Sequence, residues 1–362
     1  AYTAAYEGAS NNGFVNTAPQ AVTPQSPPSM GAFTADTTAV EVIVGEDQTV
    51  YLASLIFGNA VNVRARAVAI AQLQPGEHCM VALDDDMDDA IDIGGNADIQ
   101  LNCGMASNSA SLSSAHLYGS SSVVANPVSA YGQVVNSASN FVGTVKNWQP
   151  KVKDPYGSEG RSLDVPTYSG CDWTGNIGPS ASITWTPLAA DDYIFVVCSD
   201  VMIQGDLHLD PGVYIFDESS LAIRSTANVT GDDVTIIFAG SGSNYGTLDI
   251  NGSASVDLTA TSTDTSGLYG YNYKGILFMQ DPNADFAVNQ NFVNGGSDII
   301  MSGAIYFPNQ EVQVSGNHDS VDTCLQLIAN NITFTGNSAL INNCPADPDF
   351  DGAEIREVVL VE

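Results

Sequence analysis

One short pattern recurs along this chain and limits what it can fold into. An apolar residue, a glycine or turn, a pair of small polar residues and then alternating apolar residues appear in AIDIGGNADIQL from Ala90, LYGSSSVVANPV from Leu117 and AIRSTANVTGDDVTIIF from Ala222. They return in LDINGSASVDLTA from Leu248, EVQVSGNHDSVD from Glu311 and ITFTGNSALIN from Ile332. Alternation at a period of two marks strands with one buried face, and the Gly, Asn and Ser between them mark turns. Repeats this short, interspersed with partner strands, predict a mainly β chain with a parallel β-helix or solenoid-like core. A β-sandwich, which also needs many short strands, is the alternative.

The rest of the chain divides around that core. Residues 1–31 read as an N-terminal arm and a Pro-rich linker, because the run from Pro19 to Pro28 stops any helix. Residues 32–78 read as a small α/β subdomain of strand, helix and strand: VEVIV from Val40, a short helix or buried run in TVYLASLIFG, and VNVRARAVAIAQL from Val61. Arg64 and Arg66 share one face of that last strand, where local charge pairing is expected. Residues 79–151 and 199–345 are expected to form two solenoid halves, separated by a less regular insertion at 152–198 and followed by an acidic loop and a C-terminal strand at 346–362.

Charge excludes whole classes of partner. The 362 residues carry 41 Asp and Glu against nine Lys and Arg, a formal charge of -32 that repels phosphate backbones and anionic headgroups. Nucleic acid is therefore not an expected partner. With 44% hydrophobic and only 14% charged residues, the chain has enough apolar side chains to fill a core. Cys79, Cys103, Cys171, Cys198, Cys324 and Cys344 fall into three sequential pairs, each closing a loop of roughly 20 to 30 residues. Three local disulfides follow, and with them an extracellular or cell-surface location. No apolar stretch is long enough to span a bilayer, so any membrane anchor is expected ahead of residue 1.

Two acidic groups have the spacing of cation ligands. Asp347, Asp349 and Asp351 precede Gly352 in a DxDxDG loop, to which the Ala353 carbonyl and Glu354 can add oxygens, as calcium requires. Asp84, Asp86 and Asp88 form a lesser calcium candidate within a run of six aspartates. Asp206, His208 and Asp210 alternate on one strand face, where solvation is the simpler reading. Tyr269, Tyr271 and Tyr273 could offer aromatic faces to a neutral glycan. There is no GxSxG, HExxH or GxxxxGK motif, and no catalytic residue is assigned.

The order of EGASNNGF at Glu7, SPPSMG at Ser26, AVEVIV at Ala39, RARAVAI at Arg64, CMVALD at Cys79, IGGNADIQLNCGMASNS at Ile93 and DPYG at Asp154 resembles TadG-like proteins of the tight-adherence (Flp) pilus system. DPGVYIF at Asp210, GILFMQDP at Gly275, SGAIYFPNQEVQVSGN at Ser302, IANNITFTGNSAL at Ile328 and VVLVE at Val358 extend the resemblance over the chain. It implies a structural or adhesive surface protein of the pilus apparatus; an enzyme is not expected, for want of the catalytic motifs above, and a homo-oligomer or homopolymer that meets other pilus components or surface glycans is. The DxSxS metal motif carried by relatives with a von Willebrand A-type domain is absent. A carbohydrate-binding module and a β-helix glycan hydrolase are the alternatives from other functional classes.

Overall fold

The computed structural model describes residues 5–6, 9–10, 13–37, 39–49, 60–74, 78–158, 160–251, 253–295, 299–316, 324–342 and 355–361. The chain is mainly β and divides into two compact units, Ala1–Gln74 with Arg356–Glu362, and Pro75–Ile355.

In the smaller unit, four strands lie in the order Gln20–Gln25, Ala39–Thr49, Ala60–Gln74 and Ile355–Leu360. Ala39, Val68 and Ile70 form its buried core, with Phe33 and Val361 packed against them. Residues 20–25, read from sequence as part of the N-terminal arm and Pro-rich linker, pair antiparallel with Ala39–Thr49 of their own unit. The correction has a backbone cause: a strand edge can be held by its ladder of hydrogen bonds without large apolar side chains. The helix expected within TVYLASLIFG lies largely outside the described residues.

Arg66 makes the expected charge pair, with the buried Glu41. The Ser29 hydroxyl and N–H donate to Glu41 Oε2 at 2.6 and 2.9 Å, and Arg66 donates to Oε1. The Ser29 bonds, ahead of the guanidinium, hold this carboxyl down to about 2 from the usual 4.5. A depressed carboxyl stabilises the fold fully above its unfolded value and loses that contribution as pH falls through the folded value. The gap in denaturation midpoint between the wild type and Glu41→Gln should therefore be widest above pH 4.5 and close as pH falls through about 2. A gap independent of pH would overturn the assignment.

The larger unit is built from parallel ladders. The first runs Ile194–Val197, Gly212–Asp217, the second half of Asn228–Ser241, Ile276–Gln280 and the middle of Ile299–Gly316. It continues through the start of Cys324–Phe334, His78–Ala82, Gly104–Ser107, Val128–Ala130 and Val145–Lys146. The second runs Val201–Ile203, Leu221–Ile223, Leu248–Ile250, Ala287–Gly295 and the end of Ile299–Gly316. From there it passes to the end of Cys324–Phe334, Ile91–Ile93, Ala115–Leu117 and Val134–Asn136. A third set comes in two parts: Ser182–Trp185, Asp206–Leu209, the start of Asn228–Ser241, Ser255–Ala260 and the start of Ile299–Gly316; and Ala339–Asn342, Asp98–Leu101, Ser122–Val124 and Asn140–Val142.

The order of stacking is not the order of sequence. Strands from the end of the chain pair with those from its beginning: Leu327 with Met80, Ile332 with Ile91 and Ala339 with Asp98. Residues 78–146 therefore sit at one end of the stack, and the chain must travel its length before building the rest. Residues 149–172 make that journey. Gln149 N–H bonds Ala130 O, Val152 pairs with the Asn108 amide, and Asp154 Oδ2 accepts from the Tyr306 hydroxyl at 2.8 Å. Farther along, Tyr156 donates to Gln326, Tyr273 to Asp164 O, and Tyr168 to Asp217. Asp172 N–H reaches Val196 O at the other end.

This strap explains why the first ladder is apolar on both faces. One face, with Tyr214, Phe216, Phe238, Phe307 and Leu327, belongs to the main core. On the other, Val81, Ile215, Ile237, Met279 and Ile328 form a second core with Tyr156 and Leu163 of the strap. Burying each such side chain contributes about 1.5–3 kcal/mol. Burial also pushes the Asp154 carboxyl up, against bonds from the Tyr156 and Gly157 N–H groups and the Tyr306 hydroxyl. The segment 152–198, expected as one insertion, therefore divides: up to about residue 171 it is strap, whereas Ser182–Trp185 and Ile194–Val197 are strands of the stack.

Two expected disulfides are present, Cys79–Cys103 and Cys171–Cys198, with Cα–Cα distances of 5.8 and 5.9 Å. Cys324 is also disulfide-bonded, and its expected partner Cys344 lies outside the described residues. Among the described residues, no helix is long and apolar enough to cross a membrane.

Candidate metal centre

Two neighbouring strands of the second ladder present polar side chains from otherwise buried triplets. Ile91 and Ile93 point into the core and leave Asp92 on the outer face, as Ala115 and Leu117 do for His116. Parallel register sets Asp92 beside His116. Asp89 joins them from the turn before Asp92, in a left-handed conformation at φ 56°. Its N–H bonds Ser113 O at 2.5 Å, and its Oδ1 accepts from the Ser113 hydroxyl.

Ligand atoms of Asp89, Asp92 and His116 lie within 4.8 Å of one another. His116 Nδ1 is 3.6 Å from Asp89 Oδ1 and 3.8 Å from Asp92 Oδ1. Asp92 Oδ1 is shielded from solvent and receives no hydrogen bond, whereas Oδ2 accepts from the Tyr118 hydroxyl at 3.4 Å. Tyr118 stacks on His116 with centroids 4.4 Å apart, which fixes the imidazole plane. Burial first, and the Asp89 charge second, push the Asp92 carboxyl up. In turn, the Asp92 charge raises the Tyr118 hydroxyl. One imidazole and two carboxylates make a donor set for a first-row divalent cation, with solvent completing the shell.

The residues expected from sequence fall elsewhere. Asp84 Oδ1 is taken by the N–H groups of Asp86 and Met87, at 2.9 and 2.6 Å. Asp88 accepts from the Ser111 hydroxyl, and Asp86, Asp88 and Asp89 line an open groove with Ser111 and Ser113. The trio Asp84, Asp86 and Asp88 is thus not the set that converges. Asp347, Asp349, Asp351, Ala353 and Glu354 lie outside the described residues. Asp206 and His208 are exposed on a strand face as expected, and His208 Nδ1 meets Thr230 Oγ1 at 2.9 Å. Tyr269, Tyr271 and Tyr273 do not form an open aromatic platform, because Tyr273 is fully buried and the other two pack against it.

Sequence reading placed Asp89 and Asp92 in the acidic run but not in its candidate trio, and missed His116 altogether. The available signal was the repeat: in AIDI and AHL the polar residue occupies the outward position of matching triplets, one repeat apart. Comparisons with protein-family models, curated proteins and solved structures returned no match.

Proposed function

We propose that this chain is an extracellular structural protein of a surface fibre, whose larger unit is a parallel β-helix serving as a rigid rod. The carrying observation is the run of parallel ladders from Ile194–Val197 to Val145–Lys146, which order residues far apart in sequence into one stack. Outward positions of its second and third ladders bear polar side chains such as Asp92, His116, Asp206, His208, Asp249 and Asp257, a surface suited to water. Two bonded cysteine pairs suit an oxidising compartment, and the resemblance to TadG-like proteins points the same way. Small-angle scattering of the purified protein, with surface labelling of intact source cells, tests the reading. An elongated particle and labelled cells are expected; a spherical scattering profile or labelling only after lysis would overturn it.

A second role, cation binding, is favoured by the Asp89, Asp92 and His116 set. The imidazole nitrogen shifts the preference from calcium, which takes oxygen ligands, toward zinc or a similar ion. Zinc at 100 times its Kd should stabilise the fold by about 2.7 kcal/mol, read as a higher Tm, and calcium should do less. His116→Ala should abolish the zinc effect. A Tm indifferent to zinc, or a shift retained in His116→Ala, would remove the site.

A further inference from the structure

We infer that one corner of the larger unit binds a neutral glycan, with Trp148, Tyr131 and Leu112 against the faces of the sugar rings and Asp86 and Asp88 along their hydroxyl edges. This site needs neither the rod nor the metal centre. Four neighbouring strands of the first ladder, His78–Ala82, Gly104–Ser107, Val128–Ala130 and Val145–Lys146, run into this corner one above another. The segments that follow them keep that order: the carboxylates of Asp84 to Asp89, then Leu112, then Tyr131, then Trp148. Backbone bonds tie each segment to the next, from Ala110 N–H to Asp85 O at 2.7 Å, Gly132 N–H to Ser109 O at 2.8 Å and Trp148 N–H to Gly132 O at 3.0 Å. Leu112, Tyr131 and Trp148 are 69%, 43% and 62% exposed, so three largely apolar side chains meet solvent on successive layers about 4.8 Å apart. Trp148 is also held at φ 60°, a conformation that bulky residues rarely adopt, and gains no burial from it.

The polar half of the corner is an open groove of about 610 Å³, lined by Asp86, Asp88, Asp89, Ser111, Leu112 and Ser113. Sites for small ligands span ~300–1,000 Å³. The Ser111 hydroxyl donates to Asp88 and the Ser113 hydroxyl to Asp89, which orients both carboxylates and leaves the groove rich in acceptors. A matching ligand therefore brings hydroxyl donors. Asp84 to Asp92 include six carboxylates, against one ammonium beside them, that of Lys151, which bridges Asp85 at 2.7 Å and lies 5.0 Å from the Tyr131 ring centroid. Anionic sugars are repelled. A small cation has a suitable charge but the wrong shape, because acceptors and apolar surface are strung along four layers and Lys151 already lies over Tyr131. An uncharged sugar polymer carries both features in series: apolar ring faces for the aromatic side chains and hydroxyl edges for the carboxylates.

Isothermal titration of the full chain in EDTA with neutral hexasaccharides of glucose, galactose, mannose and N-acetylglucosamine tests this. At least one should bind, since no metal is required. Trp148→Ala should weaken that binding at least tenfold, Trp148→Phe should recover most of it, and Asp88→Ala should weaken it as well. Tyr193→Ala removes a ring that is 45% exposed beside Ile194–Val197, at the far end of the first ladder, and should change nothing. Each altered side chain is exposed, and an unchanged Tm shows that the variant keeps its fold. Failure of all four sugars to bind, undiminished binding by Trp148→Ala, or an equal loss in Tyr193→Ala would overturn the site. Displacement of the bound sugar by equimolar spermidine would mark a cation site instead and overturn it too.

Discussion

Phe238→Ala should lower the stability of the larger unit by about 3–5 kcal/mol, the cost of removing a buried aromatic ring and leaving a cavity. Phe238 is fully buried, and its ring lies 5.5 Å from Phe216 and 5.9 Å from Phe307, so one ring links side chains of three strands of the first ladder, with Ile276–Gln280 between those of Phe238 and Phe307. The neighbouring layers are held by backbone hydrogen bonds and cannot collapse into the void without breaking register. Phe238→Leu should cost distinctly less, since it keeps most of the volume. Urea unfolding followed by fluorescence gives the midpoints, and a Phe238→Ala midpoint within error of the wild type would contradict a continuous packed interior.

Gly95→Val should be comparably damaging, at about 3 kcal/mol or more, for a backbone reason. Gly95 has φ +69°, and a Cβ there would stand 2.7 Å from Gly336 O and 3.0 Å from Gly336 N. Gly336 follows Cys324–Phe334 and Gly95 follows Ile91–Ile93, so the substitution wedges apart the junction where late and early segments of the larger unit pair. Asn96 N–H bonds Gly336 O across the same junction, at 2.8 Å. By contrast Gly170, also at positive φ but with open space around it, should tolerate Asn at little cost. Equal midpoints for Gly95→Val and Gly170→Asn would show that this junction is not closely packed.

Much of the strand pattern was legible beforehand. In AIDIGGNADIQL the segments Ile91–Ile93 and Asp98–Leu101 became strands, and Gly95 became the corner between them. ITFTGNSALIN follows the same course, with its corner at Gly336. Period-two alternation and a glycine at positive φ are local requirements, so they are written locally. Short disulfide loops were legible for the same reason, because nearby cysteines are joined at small entropic cost. Residues 149–172 were less legible. Their apolar side chains follow no period, because they pack as single anchors on a surface made by distant strands.

The repeats carried their own strands and corners, and cysteine spacing and composition carried the two described disulfides and the acidic charge, whereas the strands Gln20–Gln25, Ser182–Trp185 and Ile194–Val197 were not legible. Only the tertiary structure decided that residues 78–146 stack beyond Cys324–Phe334, that a strap closes over the first ladder, and that Asp89 and Asp92 meet His116. Each of these depends on which strand edge a given edge selects, and every parallel edge offers nearly the same backbone hydrogen bonds. Selection falls to side chains that meet only after stacking: Gly95 against Gly336, and Tyr156 and Leu163 over Ile215, Ile237 and Ile328.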